Sequence, residues 1–170
     1  LAVLLALILV VVARPVWHAD AGADLPVVEM SLLRPLPMFE ALSPVALEAL
    51  ARTAIARTVA ADEVVVRQGE PGERFFAVAD GAFEVVMSGE HIRTAGRGSF
   101  FGEVALLADV PRTATVTARG PGRLLGLDRV PFLEAVTGTD SSLAAAWGVV
   151  HALRLDTELP GTTAEAAGAG

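Results

Sequence analysis

From Val59 onward the chain changes period, and that change most narrows what it can fold into. Short apolar runs follow one another: Val64-Val65-Val66, Phe75 to Ala79, Phe83 to Met87, His91 to Ala95, Thr113 to Ala118 and Leu124 to Asp128. Gly69, Gly72, Asp80-Gly81 and Ser88-Gly89 stand between the first four of them, and each is a turn signal. Strands this short and closely spaced cannot be joined by crossover helices. They predict a small antiparallel barrel or jelly-roll-like β-roll over residues 59–128. The flanks read differently. Ser43-Pro44 supplies an N-cap followed by proline at the first helical position, and Leu47, Leu50 and Ile55 give that segment an apolar side. A second helical region runs from Pro131 to Val136 and a third from Ser141 to about Leu155, where Leu143, Trp147 and Val150 recur at i, i+4 and i+7. The expected class is therefore α+β: helices over 31–58, the roll over 59–128, and helices over 129–157.

The ends are of another kind. Leu1 to Ala13 is continuously apolar. As a helix it would span about 20 Å against a hydrocarbon core of ~30 Å. It reads as the last part of a transmembrane helix ending at Arg14-Pro15, with Trp17 at the interface. Rival readings are a signal-peptide core, which lacks a basic leader, and a buried soluble helix, which the even apolarity on all faces disfavours. Residues 14–30 read as a linker, and residues 158–170, rich in Thr, Ala and Gly, as a disordered tail.

Composition removes several classes of function. The net charge of −7 opposes non-specific nucleic-acid binding, which needs a basic face. The chain has no cysteine, hence no disulfide and no thiolate metal site. All 13 basic residues are arginine, which excludes a phosphate-loop lysine and Schiff-base chemistry. His18, His91 and His151 show no metal-ligand spacing, and no carboxylate pair stands out as an acid/base couple. No catalytic residue and no metal site is expected.

One stretch remains that carries chemistry. Phe101 to Ala118 reads FGEVALLADVPRTATVTA. A Gly-Glu pair opens a short apolar run, a four-residue gap follows, and then Pro111-Arg112-Thr113 leads into a strand-like segment. This joint pattern resembles the phosphate-binding cassette of the cyclic-nucleotide-binding domain family. Gly69 to Gly81 is similar to the glycine-marked turn and strand that precede the cassette, and the resemblance extends over about residues 31–157. It implies a ligand with one phosphate charge, one free ribose 2′-OH and one flat base. On that reading the first turn near Glu103 offers free backbone N–H groups to the anion, and Gly102 allows close backbone approach. Arg112 forks onto the phosphate oxygens and Glu103 accepts from the 2′-OH. The implied ligand-binding set is Phe101, Gly102, Glu103, Val104, Ala105, Arg112 and Thr113, with Val104, Leu106 and Leu107 packed beneath. Trp147 or Val150 of the last helix is the expected cover for the base. Thr113 leaves cGMP open, with cAMP the expected ligand.

The resemblance, the apolar start and the acidic domain together suggest a regulatory domain at the C-terminal end of a bacterial major-facilitator-type membrane transporter. Such a domain would lie on the cytoplasmic side of the plasma membrane. Alternatives are the regulatory domain of a channel or of a membrane enzyme, and a catabolite-activator-like regulator. The last needs a helix-turn-helix after the long helix, and Pro160 with a Gly/Ala tail leaves no room for one.

Overall fold

The computed structural model describes residues 26–157. Two short helices come first, α1 (Val27–Leu33) and α2 (Pro44–Arg52). Eight strands follow: β1 (Ile55–Val59), β2 (Val64–Val66), β3 (Arg74–Asp80), β4 (Phe83–Met87), β5 (Glu90–Ala95), β6 (Phe100–Phe101), β7 (Thr115–Ala118) and β8 (Gly122–Asp128). Helix α3 (Glu103–Leu107) interrupts them after β6, and α4 (Arg129–Thr137) and α5 (Asp140–Thr157) close the described chain. The strands form two antiparallel four-stranded sheets, ordered β1-β8-β3-β6 and β2-β7-β4-β5. This is the β-roll with flanking helices that the strand spacing predicts.

Strand β3 explains why the sheets and the helices hold together. Its sequence Phe75-Phe76-Ala77-Val78 is apolar at every position because both of its faces are covered. Phe75 and Ala77 point into a cluster shared with the helices, together with Phe39, Leu47, Leu106 and Phe132. Phe76 and Val78 point into the interior of the roll, with Phe83, Phe101, Val116 and Leu124. Successive strand residues face opposite sides, so one short strand seeds two cores. The helical core is centred on Phe75, whose ring stacks on Phe132 at 4.9 Å and meets Phe39 edge-on at 5.7 Å. Burying side chains of this size contributes about 1.5–3 kcal/mol each.

Turn chemistry sets the register. Ser88 and Gly89 both have positive φ (52° and 89°) and form a two-residue connection between β4 and β5, closed by Met87 opposite Glu90. Ser88 is further held by Gln68, whose Oε1 accepts from the Ser88 backbone N–H at 2.8 Å.

Two boundaries and one helix face differ from the sequence expectation. Strand structure begins at Ile55, inside the segment 31–58 assigned to helix: α2 stops at Arg52, Thr53 donates its Oγ1–H to the Leu50 carbonyl, and the chain then pairs with β8. Ile55 accordingly lies on β1 opposite Gly126 and is 46% exposed, rather than on the apolar side of α2. Helix α1 starts at Val27, within the segment read as linker, because Leu33 seats in the helical core with Met30 packed against it. The buried line of α5 is Ser142, Ala146 and Val150, which shifts the apolar stripe away from Trp147. Of the expected stripe Leu143, Trp147 and Val150, Val150 is on the buried line, Leu143 packs partly buried beside it and Trp147 lies outside it. The membrane-helix expectation for residues 1–13, most of the linker and the tail 158–170 lie outside the described residues. Among the described residues no helix is long and apolar enough to cross a membrane.

Candidate functional site

A cavity of about 400 Å³ opens between the second sheet, helix α3 and helix α5. Its size falls within the range of small-molecule sites. One end is charged and the other apolar. Gly102, Glu103, Val104 and Ala105 of the α3 start, with Arg112 and Thr113 behind them, form the charged end, joined by Arg93 from β5. Val66, Val85, Met87, Ile92, Val116 and Val150 line the rest. An anionic group and a flat apolar body therefore fit different ends of one space.

Arg112 is held in place from both backbone and side chain. Its N–H donates to the Glu70 carbonyl and its carbonyl accepts from the Gly69 N–H, each at 2.8 Å. Its Nη1 donates to the Gly102 carbonyl at 3.1 Å and its Nη2 to the Arg74 carbonyl at 2.6 Å. The residue is only 6% exposed. Burial pushes the guanidinium down from its ordinary value, while the carboxyl groups of Glu103, Glu73 and Glu70 act in the other direction. Among the described residues two of its five N–H donors are spent on these carbonyls.

Two glycines make this geometry possible. Gly102 has φ +94° and caps α3; a Cβ there would lie 2.5 Å from Arg112 Nη1 and 2.9 Å from the Arg74 carbonyl oxygen. Its first close neighbour is thus the arginine, in addition to any ligand. Gly72 has an ordinary φ, but a Cβ there would lie 2.6 Å from the Ala105 Cβ, so its absence lets α3 sit down on the preceding loop.

Glu103 begins α3 and is 2% exposed. Among the described residues its Oε2 is buried without a hydrogen-bond partner. Burial raises its carboxyl to about 7, against the opposing pull of its own backbone N–H and of Arg93 and Arg112. A buried acceptor left without a donor is costly in a folded chain and is the mark of a site that expects one.

The expected residues thus divide. Gly102, Glu103, Val104, Ala105, Arg112 and Thr113 converge on the cavity. Phe101 does not line it: its ring is buried inside the roll, 5.3 Å from Phe76 and 6.0 Å from Phe83, because β6 pairs with β3 and turns it inward. On the other side of α3 Leu106 and Leu107 pack against the helical core, as expected, whereas Val104 lines the cavity instead of packing beneath. Of the two covering residues, Val150 lines the cavity and is buried, while Trp147 is 36% exposed and lies beside His151 on the outer side of α5.

Arg93 and Ile92 were missed, for a definite reason. In the ladder Val85 pairs with Arg93 and Val86 with His91, so Ile92 is an extra residue in β5. This bulge lets two consecutive side chains line one cavity, which strict alternation forbids. Arg93 is fixed there by donation from Nη2 to the Phe100 carbonyl at 2.6 Å.

Comparison with known proteins agrees with this geometry. Residues 56–138 match the family described as the cyclic nucleotide-binding domain. A cyclic nucleotide-gated potassium channel of Mesorhizobium japonicum is 41% identical over 101 residues, which make up 59% of this chain and 28% of the channel. A cAMP-dependent protein kinase regulatory subunit of Yarrowia lipolytica is 44% identical over 70 residues, 41% of this chain and 19% of that subunit. The chain therefore spans less than a third of the length of either relative. Among solved structures, one described as Sp-2Cl-cAMPS bound to PKAR CBD2 superposes with a TM-score of 0.69 at 24% identity, covering 84% of this chain and 98% of that one. That likeness concerns the fold.

Proposed function

We propose that the chain, whose residues 56–138 match the cyclic nucleotide-binding domain family, binds a 3′,5′-cyclic nucleotide reversibly, as a regulatory rather than a catalytic domain. The observation that carries the reading is the meeting of Arg112 and the unpartnered Glu103 Oε2 at the charged end of an otherwise apolar cavity. Free guanidinium donors of Arg112, with the first N–H groups of α3, receive the phosphate. Glu103 accepts from the ribose 2′-OH, which gives the orphaned oxygen its donor. Val85, Met87, Ile92 and Val150 enclose the base. cAMP is the proposed ligand, in keeping with the cAMP-dependent relative. Thr113, within reach of the same space, keeps cGMP as the alternative.

The test is a thermal-shift series with cAMP, cGMP and 5′-AMP. A ligand that binds only the folded chain raises its melting temperature by mass action. Cyclic nucleotides should raise it saturably, with 5′-AMP far less effective. No shift with either cyclic nucleotide at millimolar concentration would remove the reading.

The bound domain is further proposed to control an attached membrane transport protein, to which Leu1 to Ala13 would be the link, with the domain on the cytoplasmic side. The apolar start and the membrane-channel relative support this. The same relative favours a channel as the second form of the arrangement. Membrane fractionation decides attachment: the chain should sediment with membranes and resist carbonate extraction, and full recovery in the soluble fraction would overturn it.

A further inference from the structure

Glu103 stands in an unusual electrostatic position. Two guanidiniums act on it, Arg112 from the loop after α3 and Arg93 from β5. Yet both turn donors to backbone carbonyls: Arg112 to those of Gly102 and Arg74, Arg93 to that of Phe100. The Oε2 atom is left buried and unpaired. Among the described residues the other elements packed around α3 bring little compensation. From β3, Arg74 is paired with Asp128; from α4, Arg129 is paired with Asp109. Helix α5 presents Ala146 and Val150 on its buried side. On the loop before β3, Glu70 and Glu73 act on Arg112 rather than relieving Glu103.

We propose that Glu103 makes nucleotide binding proton-linked. In the empty cavity the buried carboxyl is held protonated through the acid side of neutrality. The ribose 2′-OH donates a charge-assisted bond to the ionised carboxylate, stronger than the one it gives the carbonyl oxygen of the neutral acid, so the bound state favours the ionised form. Binding therefore breaks the carboxyl O–H bond and releases that proton to the buffer. The inference rests on the cyclic-nucleotide reading of the same site. It turns the domain into a sensor whose affinity rises with pH. The cyclic phosphodiester and the purine base do not titrate in this range, so the protein must supply the proton.

The experiment is calorimetric titration of the purified chain with cAMP at pH 6, 7 and 8, each in two buffers of different ionisation enthalpy. With the carboxyl at about 7, affinity should fall about tenfold from pH 8 to pH 6. The heat should depend on the buffer, corresponding to release of about half a proton per site at pH 7. Glu103→Gln should bind weakly, with no pH slope and no proton release. It keeps Arg93, Arg112, His91 and His151, so a slope caused by those groups would survive in it. On the wild-type chain 2′-deoxy-cAMP should likewise lose the slope. Wild-type affinity constant within twofold across the range, with buffer-independent heat, would overturn the proposal, as would a Glu103→Gln variant that keeps the slope. Absence of binding even at pH 8 would instead remove the nucleotide reading on which the proposal rests.

Discussion

Glu103→Gln should stabilise the ligand-free chain, and the gain should depend on pH in a way that identifies its cause. The wild-type carboxyl is raised from an ordinary 4.5 to about 7, chiefly by burial. A carboxyl raised in the folded state contributes stability that is fully present below about 4.5 and is lost as pH rises through about 7. At pH 8 this costs the folded chain roughly 3 kcal/mol relative to a neutral side chain of the same shape. Glutamine is that side chain. For a domain of this size the difference corresponds to roughly 10 °C in melting temperature. At pH 5 it should shrink to under about 1 kcal/mol. Differential scanning calorimetry of both proteins without nucleotide, from pH 5 to pH 8, measures it; comparison at each pH cancels the titration of every other group. If Glu103→Gln is equal to or less stable than wild type at pH 8, the reasoning fails. The carboxylate would then be stabilised by Arg93 and Arg112 rather than penalised by burial.

Arg112→Ala should weaken cyclic-nucleotide binding roughly 10²–10⁴-fold, since two charge-assisted bonds are lost. It should also lower the melting temperature by orphaning the Gly102 and Arg74 carbonyls; Arg112→Lys should recover only part of either, and a loss under about threefold for the alanine variant would dismiss Arg112 as the phosphate ligand. Gly72→Ala should cost about 1–3 kcal/mol in urea unfolding and weaken nucleotide binding, because its Cβ would press on Ala105 at 2.6 Å and lift α3 from its seat. Thr113→Ala, read by competition between cAMP and cGMP, should shift the preference toward cAMP by at most about tenfold, the worth of one neutral hydrogen bond.

The roll was legible because its turns are written in residue types that favour turns and, in glycine, accept the positive φ that most side chains avoid. Ser88-Gly89 and Asp80-Gly81 fall where the chain reverses, and the strands on either side of them match within a residue or two. The charged end of the cavity was legible through resemblance: Gly102-Glu103 or Arg112 alone marks nothing, but the joint pattern from Phe101 to Ala118 is similar to the family's phosphate-binding cassette. What escaped depends on pairing partners. Arg93 enters the cavity only because of the bulge at Ile92, which is defined by the opposite strand. Phe101 turns inward because β6 pairs with β3, a two-residue contact too short to leave a period. Trp147 and Val150 lie three positions apart on one helix, and only the packing of α5 decides that the smaller one faces the cavity. The Gly72 requirement is likewise tertiary, since the atom it avoids belongs to Ala105.

Nucleotide binding itself is the claim on which the rest depends. Titration calorimetry of the purified chain with cAMP at pH 8, repeated on Arg112→Ala, tests it most directly. The expected result is saturable binding to one site per chain, weakened at least about a hundredfold by the substitution. Absence of saturable heat with both cAMP and cGMP, or equal binding by wild type and Arg112→Ala, would contradict it.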